Sequence, residues 1–441
     1  MTTNFKKRLK QTLSKKNLNK LAKNNKFIIR TRKITAYNFL YSLIFLLSPG
    51  SINLRSLQES IFLNGKISRQ ALSKKFNKRS TSFVKDVFYE LLSIDLNIES
   101  NILTIFKDIK ILDSSYFRFF TSLIKDFPHI GNNKNSGAKM QVIYSYINGI
   151  FHVSFNKSRE NDQSYTKTII DFFNKGDLFL ADKAYMVTNF IIQLMEKGVY
   201  FIGRYNQKNL YIKTKSKNNK IIYKHVDLIK VLSEKKNNFM KKYYIRNNKN
   251  QYVEISLYCY KLSKDIVTKK REYAIKYTKS HNKSGKPTKK TLVLLGWEIF
   301  ITNIEEEIVK MNNIGYLYRI RWQIELLFKN YKSVMQLDKY IVKRNSERIK
   351  TEFYAKMIIF LISDRTFKIA QEKSKKELSF QKFFSLFSEY IPLMAFEIDK
   401  NVSKFYKCIE KIILLGQKVS LMSKQKNRYT TKDTLSWMIN E

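Results

Sequence analysis

Two cysteines in 441 residues, Cys259 and Cys408, cannot build a disulfide framework or a cysteine-rich zinc site. Histidine is nearly as scarce. His129, His152, His225 and His281 fall at no metal-ligand spacing. Long apolar runs are missing as well. The run at residues 39–47 is too short to span a bilayer, and Pro49-Gly50 ends it. It starts too late for a secretory signal and lacks a small-residue cleavage site, so a bacterial-type cytoplasmic protein with no membrane association is expected. Acid is the other shortage. No Asp or Glu precedes Glu59, and 36 acids face 83 Lys and Arg, a formal net charge of +47. A field of that sign attracts long polyanions, DNA above all. Codon drift in an AT-rich genome also inflates Lys, Asn and Ile, but a charge this large still needs a partner.

What is present reads as a globular chain with room for two or three domains. Lysines crowd residues 6–26, with Phe5, Leu9, Leu13 and Leu21 among them at roughly helical spacing. This start is either a basic arm that meets phosphates or a frayed, solvated terminus. Residues 35–100 read as helical, with Ser68 placed to cap one helix and a helix-turn-helix-like DNA reader as one reading. From about residue 105 the texture changes to short apolar strands. Residues 109–112 run into Asp113, and residues 178–181 into Asp182. Asn148-Gly149 signals a hairpin. Helices are expected over 164–174 and 187–197, and a strand over 199–205. An Asp ending the first and fourth strands of such a series is an α/β pattern. Residues 206–300 predict Tyr-rich strands, among them 273–277, then a loop over 279–290. After residue 343 the chain reads as helical again, with a basic tail at 424–428.

The most informative stretch is YLYRIRWQIELLFKNYK at residues 316–332. At about 100° per residue on one continuous helix, Tyr318, Arg321, Glu325, Lys329 and Lys332 share a stripe. Leu317, Ile320, Ile324, Leu327, Tyr331 and Val334 form the packing stripe opposite. A lone carboxylate among cations and a phenol suits metal and phosphate chemistry. It also suits a solvated i,i+4 ion-pair ladder. Asp113 and Asp182 carry the same ambiguity. Each ends an apolar strand, where ligand sites form in α/β folds, yet each also fits a local capping role. Two strand-borne aspartates and a helix-borne glutamate form a hard oxygen donor set of the kind a Mg²⁺ pair requires.

These residues resemble, in order and spacing, the DDE transposases of bacterial insertion sequences, within the insertion-sequence-four family. The Tyr318, Arg321, Glu325, Lys332 spacing matches that family's Tyr-Arg-Glu-Lys motif without a gap. Residues 178–185 resemble its second-aspartate motif, although Lys183-Ala184 replaces the usual Arg-Gly. Asp113-Ser114-Ser115 looks like the first, and the likeness covers roughly residues 35–370. The resemblance implies an α/β chain with an RNase H-like catalytic core interrupted by a β-rich insertion, and helical N- and C-terminal regions. The expected division is a basic arm and helical DNA-binding region at 1–100, core at 101–205, insertion at 206–300, core at 301–370 and a C-terminal helical region at 371–441.

It further implies two Mg²⁺ or Mn²⁺ ions on Asp113, Asp182 and Glu325, and DNA phosphates held by Tyr318, Arg321, Lys332 and, as a helper, Lys329. The substrate would be double-stranded DNA, namely the element's terminal inverted repeats and target DNA. The reaction would be cut-and-paste transposition by a homodimer on DNA, in the bacterial cytoplasm at the nucleoid. Trp297 stands as a base-stacking candidate, with packing beside Leu294 and Ile299 as its alternative. Two rival functions remain open at this level. One is an RNase H-like nuclease that cuts without joining; the other is a non-catalytic DNA-binding derivative.

Overall fold

The computed structural model describes residues 3–423, apart from 31–32, 47–52, 95, 97–104, 129–135, 158–161, 206–208, 282–285, 334–335, 337–343 and 401. The chain divides into two compact units. The first comprises Met1–Ile102, Asp113–Glu160 and Trp322–Asp433; the second comprises Leu103–Leu112, Asn161–Arg321 and Thr434–Glu441. Two of the crossings, at Leu112/Asp113 and Arg321/Trp322, fall on the motifs singled out above.

The first unit opens with helices α1 (Thr3–Thr12), α2 (Lys15–Asn24), α3 (Ala36–Leu46), α4 (Leu54–Gln58), α5 (Arg69–Lys75) and α6 (Lys78–Leu92). The helical spacing at the start is a packing stripe. Phe5, Leu9, Leu13, Leu18 and Leu21 are all buried, while Lys6, Lys10, Lys16 and Lys20 stay exposed. The frayed-terminus reading therefore fails, because these apolar side chains have a core to enter. Tyr41 of α3 donates its hydroxyl to the Leu13 carbonyl at 3.1 Å, fixing the turn after α1. The apolar run at 39–47 supplies α3, which is buried along most of its length; no helix among the described residues is long and apolar enough to cross a membrane. Ser68 caps α5, accepting from the Ala71 N–H at 3.3 Å. Asn77 and Ser80 form a reciprocal capping box on α6.

Strand β1 (Ile109–Phe119) runs on through Asp113, where the sequence suggests an end. Only its first four residues pair with β4 (Leu178–Ala181), in parallel. The rest belongs to the first unit, where the strand order is β3-β2-β1, with β2 (Ser136–Ser145) and β3 (Gly149–Lys157). A new neighbour, β2, keeps the backbone extended past the Asp-Ser-Ser segment, overriding its turn chemistry. β2 and β3 form the hairpin that Asn148-Gly149 signals, with Ser145 opposite Gly149 and Gly149 at φ +81. Burial of His152 in β3 pushes its imidazole down to about 4. The unfolded chain, with an ordinary value near 6.5, binds more protons as the pH falls between those values. Stability should therefore be full above pH about 6.5 and decline toward pH about 4. Thermal melts across that window should show a shallower decline for His152→Gln than for the natural chain.

In the second unit a short α7 (Asp162–Tyr165) and two 3₁₀ turns replace the single helix expected over 164–174. Then come β4, α8 (Thr188–Glu196) and β5 (Tyr200–Arg204). β1, β4 and β5 are parallel, with Leu112, Ala181 and Gly203 in register. Lys110 and Asp177 form a buried ion pair of 2.8 Å at the other end of these strands. The sheet continues β5-β10-β9-β8-β6-β7. Its members are β6 (Leu210–Lys215), β7 (Ile221–Val226), β8 (Phe239–Arg246), β9 (Tyr252–Lys261) and β10 (Trp297–Thr302). Helices α9 (Leu228–Glu234), α10 (Lys264–His281) and α11 (Lys289–Leu294) interrupt them. The strand expected at 273–277 lies inside α10. Its tyrosines sit among Lys, Arg, Glu and Ala, whose helix propensity prevails where no sheet neighbour binds the backbone. That helix and α11 also take up both ends of the loop expected over 279–290. α12 (Met311–Arg319) closes this unit.

The chain re-enters the first unit with α13 (Trp322–Ser333), α14 (Ser346–Lys373), α15 (Phe380–Lys400) and α16 (Val402–Val419). α14 is its central helix, buried along most of its 28 residues. Phe353 stacks on Phe155 of β3 at 4.1 Å, and Thr351 meets Thr81 of α6 at 3.0 Å. The basic tail at 424–428 and Val334 lie outside the described residues.

Candidate active site

In the second unit, β4 ends at Ala181 and delivers Asp182 to the sheet edge. Asp182 is half-buried and caps the 3₁₀ turn Lys183–Tyr185, accepting from the Lys183 N–H at 2.7 Å. The Ala184 that replaces the family glycine is not among the residues with positive φ, so no left-handed strain arises there. α12 brings Tyr318 to the same edge. Its hydroxyl donates to the Ala181 carbonyl at 3.4 Å, and its ring packs on Phe300 with centroids 4.9 Å apart. Two guanidinium groups flank that ring, Arg321 at 5.7 Å and Arg204 at 5.6 Å from the centroid. Burial raises the Tyr318 phenol to about 12, against the lowering pull of the two arginines, so it remains a hydrogen-bond donor at neutral pH. Arg204 also pairs with Glu298 at 3.1 Å. A phenol and two guanidinium groups beside a carboxylate make a phosphate-holding corner. Three of these four residues carry the sequence motif. Arg204 does not, and only its register opposite Phe300 on β10 reveals its place.

The first unit holds the other predicted residues. Asp113 is half-buried within β1, and its Oδ1 accepts from the Ser114 N–H at 2.7 Å. It immediately follows Leu112, just as Asp182 immediately follows Ala181, and these two are register partners on parallel strands. Glu325 lies in the exposed part of the first turn of α13, where the helix dipole favours a carboxylate. Lys329, one turn on, is exposed, and Lys332 is half-buried. The opposite side of α13 is buried through Ile324, Leu327 and Tyr331, the last of which packs on Phe360 at 4.2 Å.

The single helix drawn from the sequence is in fact two. α12 stops at Arg319 and α13 starts at Trp322. Between them the Ile320 and Arg321 N–H groups donate to the Leu317 and Tyr318 carbonyls, both at 3.0 Å, an i to i−3 pattern that tightens the turn. Tyr318 and Arg321 are thus placed by the second unit, and Glu325, Lys329 and Lys332 by the first. Trp297 is 5% exposed, with the Lys261 ammonium 4.4 Å from its ring centroid and Phe239 against it at 5.7 Å.

Among the described residues no group of three or more His, Cys, Asp or Glu side chains forms a metal cluster. The candidate donors nonetheless suit a hard cation. They are carboxylates alone, half-buried inside β1 for Asp113 and after the end of β4 for Asp182, with no thiolate or imidazole among them to favour a softer metal.

Comparison with known proteins agrees on one family. Residues 104–362 match the transposase DDE domain, a family whose members use divalent metal ions. The transposase for insertion sequence element IS231E of Bacillus thuringiensis subsp. finitimus is 28% identical, over 98% of this chain and 94% of its own. The transposase for insertion sequence element IS1151 of Clostridium perfringens is 27% identical, over 97% and 95%. The transposase for insertion sequence element IS231B of Bacillus thuringiensis subsp. berliner is 29% identical, over 84% and 81%.

Proposed function

The chain belongs to the transposases with a DDE domain, and on that premise we propose that Asp113, Asp182 and Glu325 are its catalytic carboxylates. It is a DNA transposase of the insertion-sequence type. Its substrates are the duplex ends of its own element, read at their terminal inverted repeats, and a target duplex. It acts as a homodimer on paired ends, in the cytoplasm at the nucleoid. The three carboxylates would hold two Mg²⁺ or Mn²⁺ ions, whose chemistry when bound would be Lewis-acid polarisation at the scissile phosphate and the attacking oxygen. Asp113 offers its carboxylate from within β1, Asp182 from the end of β4, and Glu325 from the first turn of α13. Tyr318 exchanges its long bond to the Ala181 carbonyl for one to a phosphate oxygen when DNA binds, since its hydroxyl has a single proton to donate. Arg321 grips a phosphate through parallel N–H bonds, while Lys329 and Lys332 add point charges along the strand. Burial beneath Phe300 keeps Tyr318 protonated, so the group stays a donor throughout the reaction.

One observation carries this reading: the Tyr-Arg half of the motif sits against the strand end that bears Asp182. The test is a labelled element-end duplex incubated with the full chain, a target duplex, and Mg²⁺, Mn²⁺ or a chelator. Cleavage and joined products are expected with either ion and neither with chelator. Cleavage without joining would make the protein a nuclease. No metal-dependent product at all would leave only a DNA-binding derivative.

A further inference from the structure

We propose that the open face of strands β6, β7, β8 and β9 is a second DNA-binding surface that grips the phosphate backbone of duplex DNA; this rests on the reading of the chain as a DNA transposase. Register decides which side chains share that face, because residues directly opposite on antiparallel strands point the same way. Tyr211 lies opposite both His225 and Tyr244, Lys213 opposite Tyr223, and Arg246 opposite Tyr252. Of the alternate positions, Leu210, Tyr243, Ile245 and Ile255 are buried, while the opposed pair Ile212 and Lys224 is exposed. That side therefore packs along β8, β9 and the start of β6, and the other carries an aromatic and basic mosaic that is half-buried or exposed.

The mosaic is held in place by its own contacts. Tyr223 and Tyr252 stack at 3.8 Å with planes 4° apart. Tyr211 stands edge-on to Tyr252, and Tyr244 edge-on to Tyr223, both at 5.2 Å. The Arg246 guanidinium lies 5.7 Å from the Tyr211 ring centroid and 5.9 Å from that of Tyr252. Lys213, Lys215 and Arg246 are exposed, and none has a carboxylate partner among the described residues. Glu254 is the single acid in the four strands, and it already accepts from the Tyr244 hydroxyl at 2.6 Å and faces Lys242 at 3.5 Å.

Charge of one sign on a preorganised, nearly acid-free face fits a polyanion. The stacking chooses which kind. Tyr223 and Tyr252 each give one ring face to the other and also meet Tyr211 or Tyr244 edge-on, so they offer less for unpaired bases to stack on than the open aromatic platforms that hold single strands. Hydroxyls and cations remain, and these are backbone-reading groups that position a duplex without reading its sequence.

The experiment is a salt titration of binding to a labelled mixed-sequence duplex, with the full chain and a chelator present so that no cleavage intervenes. The triple variant Lys213→Gln, Lys215→Gln, Arg246→Gln should lower the slope of log K against log salt by about 2 to 3, at about 0.9 for each phosphate no longer neutralised. A control with equal charge loss elsewhere in this unit, Lys230→Gln, Lys236→Gln, Lys289→Gln, should leave the slope within about 0.5 of the natural value. Both variants should keep the natural melting temperature. An unchanged slope in the first variant overturns the proposal, as does an equal fall in the control. A loss confined to a labelled single strand overturns the duplex assignment. Because the readout is binding without metal, failure here leaves the catalytic assignment standing, and failure of catalysis leaves this surface standing.

Discussion

Asp113→Asn, Asp182→Asn and Glu325→Gln should each abolish cleavage and joining of element-end DNA while leaving DNA binding within about twofold, since none removes a cation. An amide matches the carboxylate in shape but carries no charge, and a hard divalent ion draws most of its binding from that charge. If each carboxylate contributes several kcal/mol to holding the ions against the reacting phosphate, its loss lowers the rate by about 10³-fold or more. The measurement is single-turnover cleavage of a labelled end duplex, with binding followed separately in chelator. Full strand transfer by the Glu325→Gln protein would remove Glu325 from the site. The capping role is reported by Asp182→Ala instead, because asparagine keeps the oxygen that accepts from the Lys183 N–H and alanine does not; a loss of binding in both variants alike would count against a purely catalytic role.

The sequence made the chemistry more legible than its scaffold. Asp113 and Asp182 stand out by the apolar residues before them, and these do end in the register pair Leu112 and Ala181; Asp182 follows the end of β4, whereas Asp113 lies inside β1. The continuation of β1 beyond Asp113 was hidden, because it depends on a neighbour, β2, whose pairing no local pattern announces. The break between α12 and α13 was hidden for a similar reason. Ile320 and Arg321 are ordinary helix residues without Pro or Gly, so periodicity alone runs straight through them. The turn is instead set by what each flank packs on, Phe300 for Tyr318 and Phe360 for Tyr331. Arg204 gave no signal because a basic residue after an apolar strand is commonplace. α10 shows the opposite failure, since its tyrosines advertise a strand while exposure of Tyr273 at 71% and Tyr277 at 54% denies them a sheet. The N-terminal lysines were readable as charge, but the apolar spacing among them determined that they decorate packed helices.

Gly149→Ala should destabilise the first unit by about 3–5 kcal/mol, a loss large enough to show as poor solubility or a sharply lowered melting temperature. Two independent faults add. Gly149 sits at φ +81, where a side chain costs about 1–2 kcal/mol. A Cβ there would also land 2.0 Å from Asp364 Oδ2. Asp364 cannot yield cheaply. It is fully buried on α14, and its carboxylate accepts from the Ile150 N–H at 2.9 Å, tying the β2–β3 hairpin to the central helix. Its neighbour Arg365 donates to the carbonyls of Ile150 and Leu92 at 2.9 and 3.2 Å, so α14 holds both backbone groups of Ile150 and ties them to the end of α6. Burial raises the Asp364 carboxyl, against the opposing pull of Lys368 and Arg365. Displacing it would leave a buried polar group without its backbone partner. The Asn-Gly turn was plain in the sequence, but its partner lies 214 residues downstream. The decisive comparison is Asn148→Ala, next to it and free of both faults, which should cost less than about 1 kcal/mol. Equal melting temperatures for the two variants would show that the turn, and not its grip on α14, governs this part of the fold.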